Sequence, residues 1–272
     1  MKQAILCILM LGCFASASAQ TALAADKHLA YCLERIAYWH ENNARDLSEN
    51  GDSLEQANQR LEITLKDRCA HLPLDVALPF SEQAGLNIAT AGDHLFRIYS
   101  WDTRLGGTMH VYNAIVAYRT PEARIVFKRI DVDSVSKAKD DRGYWYHTIK
   151  MYELPMHTTY VAVGKSMEGT QYIGEHVLAF GDGSSDVHTV NYFEAAGRKV
   201  NAISYSYDLL KLKGKAPSIH FSRDSKKLYI PIVERELFTG KYLVYKYSSF
   251  TFQKSVYHFV LEGEAKRKLS HK

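Results

Sequence analysis

Past residue 94 the chain is cut at short intervals: runs rich in Tyr, Val, Ile, Phe and Thr alternate with Gly, Asp, Asn, Ser or Pro. This rhythm constrains the fold more than any other feature, because β-branched and aromatic residues suit a pleated surface and the breakers suit turns. Strands are expected at 94–101, 108–118, 123–130, 144–152, 158–165, 172–180, 187–193, 199–207, 218–222, 227–234, 241–247 and 250–261. The joining segments 102–107, 139–143, 181–186, 223–226 and 238–240 have hairpin length. Consecutive strands joined this way form an antiparallel meander, since a parallel pair needs a crossover of about a dozen residues. A sandwich or barrel-like arrangement would hold them. A propeller-like one is the alternative, because 219–229 reads as a blade hairpin. A dozen strands make only about three four-stranded blades, fewer than the usual closed ring. Pro231, inside the run 228–233, is expected at an edge or a bulge.

The N-terminal part follows a different period. Leu29, Leu33, Ile36, His40, Asn43 and Leu47 recur at helical spacing, as do Leu54, Asn58, Leu61, Leu65, Cys69 and Leu72. Asn50-Gly51 marks a turn between them, and 52–56 carries two overlapping capping boxes. Two helices so joined run antiparallel, which makes the fold class α+β: a helical hairpin, then a mostly antiparallel β domain. Cys32 lies 19 residues before Gly51 and Cys69 lies 18 after it. With both at about the same height on facing helices, a Cys32–Cys69 disulfide is expected, contributing roughly 3–4 kcal/mol. His28 and His71 nearby lack ligand spacing, so a metal site is disfavoured. His40 and Asn43 interrupt the apolar seam and are expected to hydrogen-bond against the other helix, with a ligand site between helices as the other reading. Residues 73–93, with Pro73, Pro79, Gly85 and Gly92, read as a connector.

The first residues have the three parts of a secretory signal: Lys2, an apolar stretch 4–14, and small residues ending in Ala17-Ser18-Ala19. The stretch is about half the ~20 residues a spanning helix needs. Removal after Ala19 would leave Gln20 first; a lipoprotein signal ending at Gly12-Cys13 is the alternative, with Met10 where Leu is usual. The chain thus divides into a signal (1–19), a helical hairpin (20–72), a connector (73–93), a β-rich domain (94–262) and a basic tail (263–272). An exported protein of bacterial type, periplasmic or extracellular, is expected, with no integral membrane segment after cleavage. The net charge of +4 is small and spread out, and the tail (Lys266, Arg267, Lys268, Lys272) reads as a solvated terminus. Nucleic acid is not an expected partner.

The densest group of useful side chains is Trp101, Asp102, Thr108 and His110 around Gly106-Gly107. An indole, a carboxylate, a hydroxyl and an imidazole there could stack on and hydrogen-bond a polar ligand. The plainer reading makes Asp102 a turn cap, Trp101 core and His110 an exposed strand residue. The segment Tyr99-Ser100-Trp101-Asp102 through Gly106-Gly107-Thr108-Met109-His110 resembles that of uncharacterised exported bacterial proteins with a helical N-terminal part and a β-rich remainder. The resemblance implies an address and a fold class, and no activity.

No catalytic residue, metal ligand or cofactor is assigned. G-x-S-x-G and H-E-x-x-H are missing from the sequence. The S-x-x-K at 134–137 lies in a charged loop without its companion motifs. Asp182 and Asp186 flank an ordinary Asp-Gly turn and give calcium too few oxygens. The 18 tyrosines suit strands and also glycan stacking. Three functions stay open: a non-enzymatic exported binding or envelope-associated protein with a glycan or envelope protein as partner; a hydrolase acting on an envelope or extracellular polymer through Asp102, His110 or a carboxylate pair; and a component of a surface assembly pairing through a sheet edge.

Overall fold

The computed structural model describes residues 2–42, 53–106, 110–130, 143–155, 157–169, 172–183, 186–195, 197–212, 216–235, 242–253 and 258–266. Asn43, Thr108, the turn at 50–51, the segment 134–137 and the tail beyond 266 lie outside them. Helix α1 spans Lys2–Asn42, α2 Leu54–Cys69 and the short α3 Pro79–Gln83. Strands β1 (Asn87–Thr90), β2 (Phe96–Asp102), β3 (Tyr112–Arg119) and β4 (Ile125–Arg129) form a first sheet in that order. The second contains β5 (Trp145–Glu153), β6 (Thr158–Glu168), β7 (Tyr172–Asp182) and β8 (Val187–Thr189). The next strands are β9 (Phe193–Ala195), β10 (Arg198–Val200) and β11 (Ala202–Asp208). β11 joins the second sheet on the edge of β7 that β8 also occupies, giving the order β11-β7-β6-β5. β12 (His220–Phe221), β13 (Lys227–Arg235), β14 (Tyr242–Gln253) and β15 (His258–Lys266) complete a third sheet, β10-β9-β15-β14-β13-β12. All pairs are antiparallel except β15–β9.

The layers follow from side chains alternating across each strand. On β2, Phe96 and Ile98 face the second sheet, while Tyr99 and Trp101 face the helices. On β6, Tyr160 and Ala162 face the first sheet, and Val161 and Val163 face the third. Helices, first sheet, second sheet and third sheet thus stack in order, with an apolar layer at each junction. Both faces of the two inner sheets are buried at their centres, so β3, β6 and β7 carry uninterrupted apolar runs at 114–118, 160–163 and 177–180. The result is an α+β, sandwich-like stack of three sheets, each open among the described residues, and no barrel closes.

Several local expectations resolve here. Among the described residues β12 pairs only with Leu228 and Tyr229, leaving β13 without a strand partner on that side at Pro231, and a bulge follows between Ile232 and Glu234. The runs 241–247 and 250–261 are one long strand, β14, followed by β15, which runs into the expected tail. The expected connector contains α3 and β1. α3 has no cap of its own at Leu78; buried Asp26 of α1 caps it instead, accepting from the N–H groups of Phe80 (3.1 Å) and Ser81 (2.8 Å) and from the Ser81 hydroxyl (2.6 Å). Ser53 caps α2, accepting from Gln56 N–H at 3.2 Å. No helix among the described residues is long and apolar enough to cross a membrane.

The disulfide is a correction. Cys32 and Cys69 are both buried and free. Cys32 Sγ donates to Thr64 Oγ1 at 3.7 Å, which sets the hairpin register. The point midway between 32 and 64 falls three residues before Gly51, and that offset leaves Cys69 five residues, roughly 7.5 Å, along the helix from the level of Cys32. Cys69 packs instead in the core shared with Tyr99 of β2. Burial raises both thiols, Cys69 to about 11, which keeps them protonated and unreactive in the fold. Unfolding without reductant is therefore expected to release both for stoichiometric alkylation. A Cys32–Cys69 disulfide peptide in the digest would overturn this.

Candidate functional site

β2 ends at Asp102 directly opposite Tyr112, the first residue of β3. Asp102 Oδ1 accepts from the N–H of Arg104 at 2.9 Å, and Arg104 takes a left-handed φ of 57° that tightens the turn. The other carboxylate oxygen, Oδ2, meets His110 Nδ1 at 2.5 Å. The imidazole lies nearly parallel to the Tyr112 ring (18°, centroids 6.0 Å apart). The carboxylate holds one ring nitrogen, so the imidazole has a fixed orientation and its Nε2 has no partner among the described residues. The pair stands at the surface, with the His110 side chain 41% and the Asp102 side chain 27% exposed. Tyr112 behind it is buried, and burial together with the Asp102 charge pushes its hydroxyl up to about 12. His40 of α1 reaches the same turn, its Nδ1 lying 3.2 Å from the Arg104 carbonyl. The expectation for His40 is thus corrected: its partner is a strand turn and not the second helix.

Tyr112 is also one wall of a small cleft between the first and second sheets, shared with Gly143, Tyr144, Tyr146 and His176. Its volume is about 10 Å³, room for roughly one water-sized group. His176 is fully enclosed; its Nε2 is 2.8 Å from the Tyr146 hydroxyl, and the Tyr144 ring stacks on it at 3.8 Å. Its Nδ1 is buried without a partner among the described residues. Burial lowers its pKa to about 3, so the ring is neutral. Glycines make this packing possible. A Cβ on Gly143 (φ +65°) would lie 2.1 Å from the Tyr112 carbonyl oxygen, and one on Gly164 would press on Tyr144 and Tyr146 at 3.0–3.2 Å.

Of the four residues expected to gather at this turn, Asp102 and His110 do so. Thr108 lies outside the described residues. Trp101 stands apart: it is fully buried on the opposite face of β2, donating its indole N–H to Asn58 Oδ1 of α2 at 2.9 Å. Asn58 in turn donates to the carbonyls of Leu54 and Thr103, so the Trp–Asn pair clamps the helices onto the first sheet. The aromatic ring at the surface pair is Tyr112, which the sequence alone does not single out. At the other candidate turn, Asp182 accepts from Thr158 N–H (2.7 Å), while Asp186 pairs with Lys128 (3.0 Å) and accepts from Val187 N–H (2.7 Å). Those oxygens serve the protein itself. The described residues contain no group of three or more His, Cys, Asp or Glu placed to hold a metal ion.

A fixed, half-exposed imidazole beside a phenol ring can hydrogen-bond and stack on a polar ligand. An imidazole oriented by a carboxylate is also the arrangement of a general base. Comparison with known protein families, with curated proteins and with solved structures gives no match.

Proposed function

We propose that this is an exported, envelope-associated binding protein that contacts a polar, glycan-type ligand through His110, which Asp102 orients and the buried Tyr112 ring backs. The observation that carries the reading is the Asp102–His110 pair: a 2.5 Å contact that fixes the imidazole at the surface beside the Tyr112 ring. The signal-like N-terminus and the resemblance of 99–110 to exported proteins supply the address. The Asp102–His110 orientation also favours a second reading, a hydrolase of an envelope polymer with His110 as base.

A thermal-shift series with peptidoglycan fragments and oligosaccharides tests both readings on wild type, Asp102→Asn and His110→Ala. A ligand at about 100 times its Kd stabilises by roughly 2.7 kcal/mol, a rise of about 5–10 °C for a chain of this size. The shift is expected to shrink in Asp102→Asn and to vanish in His110→Ala, with the unliganded Tm of both unchanged within a degree or two. Equal shifts in all three proteins would remove the site. New reducing ends released by wild type and not by either variant would replace binding with hydrolysis.

A further inference from the structure

A larger cleft lies seven residues further along β5, roughly 23 Å from Tyr146, where the second and third sheets meet at their other end. It has a volume of about 290 Å³ and is lined by Met151, Tyr152, Glu153, Asp224, Lys226 and Phe252, with Ser225. Its floor is aromatic, the Tyr152 and Phe252 rings lying 5.0 Å apart. The Tyr152 hydroxyl is engaged with the Ser225 carbonyl at 2.7 Å and its ring is buried against Phe259 and Tyr192, so the half-buried Phe252 and Met151 side chains are the apolar surface a ligand meets.

The rim is built before any ligand arrives. Ser225 has a left-handed φ of 56°, Phe252 N–H donates to the Lys226 carbonyl at 2.8 Å, and Asp224 Oδ1 accepts from the Ser222 hydroxyl (2.6 Å) and Lys226 N–H (3.2 Å). Asp224 Oδ2 is only loosely held, 4.0 Å from Lys226 Nζ. Two carboxylates and one ammonium leave the lining with one net negative charge. The Phe252 ring below a negative rim favours a cation, and the apolar floor favours a hydrocarbon body.

We propose that this cleft is a binding site for a small organic cation: a primary amine carried on an aryl or alkyl group. The site is separate from the Asp102–His110 pair and does not depend on its role. The test is isothermal titration of the full chain with phenylethylammonium, 3-phenylpropanoate and phenethyl alcohol, which share a body and differ in charge. The ammonium is expected to bind at least about tenfold tighter than the anion. Glu153→Gln with Asp224→Asn is expected to erase that preference and leave the Tm unchanged, since both side chains are exposed and Asn keeps the turn's acceptor. His110→Ala is expected to leave the preference intact. Absence of ammonium binding, equal affinity for the anion, or a preference that survives the double variant would each overturn the proposal.

Discussion

Replacing Glu175 with Ala is expected to lower the unfolding free energy by about 3–5 kcal/mol, a fall of roughly 10 °C in Tm. Glu175 lies on β7 facing the third sheet and is only 1% exposed. Its Oε2 accepts from the Tyr205 hydroxyl on β11 and from the backbone N–H of Ile219, both at 2.6 Å, and its Oε1 lies 3.0 Å from Lys165 Nζ on β6. One carboxylate therefore ties three strands of the second sheet to the segment that leads into the third. Burial and the Glu175 charge push the Tyr205 hydroxyl far above its ordinary value, so it remains a donor at neutral pH. Truncation leaves that hydroxyl and the Ile219 N–H without an acceptor, each worth about 1–3 kcal/mol when buried. The Lys165 ammonium is one-third exposed and can rehydrate, so the ion pair itself is the smaller part of the loss. Glu175→Gln, which keeps a carbonyl oxygen, is expected to cost about 1–2 kcal/mol, and Lys165→Met about 1 kcal/mol or less. Urea unfolding of the three variants distinguishes these. A Glu175→Ala protein within about 1 kcal/mol of wild type would show that the junction of the second and third sheets rests on apolar packing alone.

What could be read in advance divides along the range of the forces involved. Helical and strand periods are local, so the hairpin seam (Leu29, Leu33, Ile36 against Leu61, Leu65) and most strands were legible, as was the placing of Pro231. Register is not local. Asn50-Gly51 suggests a turn centred on Gly51, but Thr64 stands opposite Cys32, which leaves Cys69 five residues further along α2. The same limit hid Tyr112 and the whole second half of the cleft. Nothing near Asp102 in sequence indicates that Gly143, Tyr144 and His176 arrive there, because that depends on which face of one sheet meets which face of another. Asp26 capping α3 from 54 residues away is a further case, in which a missing local cap is supplied by tertiary contact. Trp101 is different: it adjoins Asp102 in a strand, and strand alternation alone places their side chains on opposite faces. The sequence itself therefore carries the cue that sets Trp101 apart from Asp102.

Acid is expected to weaken the fold through His176, by about 2–3 kcal/mol between pH 6.5 and 4.5. Burial lowers the His176 pKa to about 3, against roughly 6.5 for an exposed histidine in the unfolded chain. Between those values the unfolded state binds a proton that the folded state excludes, so stability rises with pH at up to about 1.4 kcal/mol per unit. The contribution is therefore whole above about pH 6.5, shrinks as the pH falls, and is exhausted near pH 3. The groups facing the ring are Tyr144, just before β5, and Tyr146 of β5, with Tyr112 of β3 across the cleft, all phenols and neutral in this range. None supplies a negative charge that would welcome the imidazolium. His147 is lowered as well, by desolvation and then by Lys165, but its side chain is exposed and its loss of the same sign is the smaller one. The two are separated by substitution. His176→Gln keeps a polar partner for the Tyr146 hydroxyl and removes the titrating ring. It is expected to be less stable than wild type at pH 7, with a stability curve about 1 kcal/mol per pH unit flatter between 6.5 and 4.5. A slope unchanged by His176→Gln would mean that protonation elsewhere drives the acid loss, and that the tyrosines around His176 open to admit its charge.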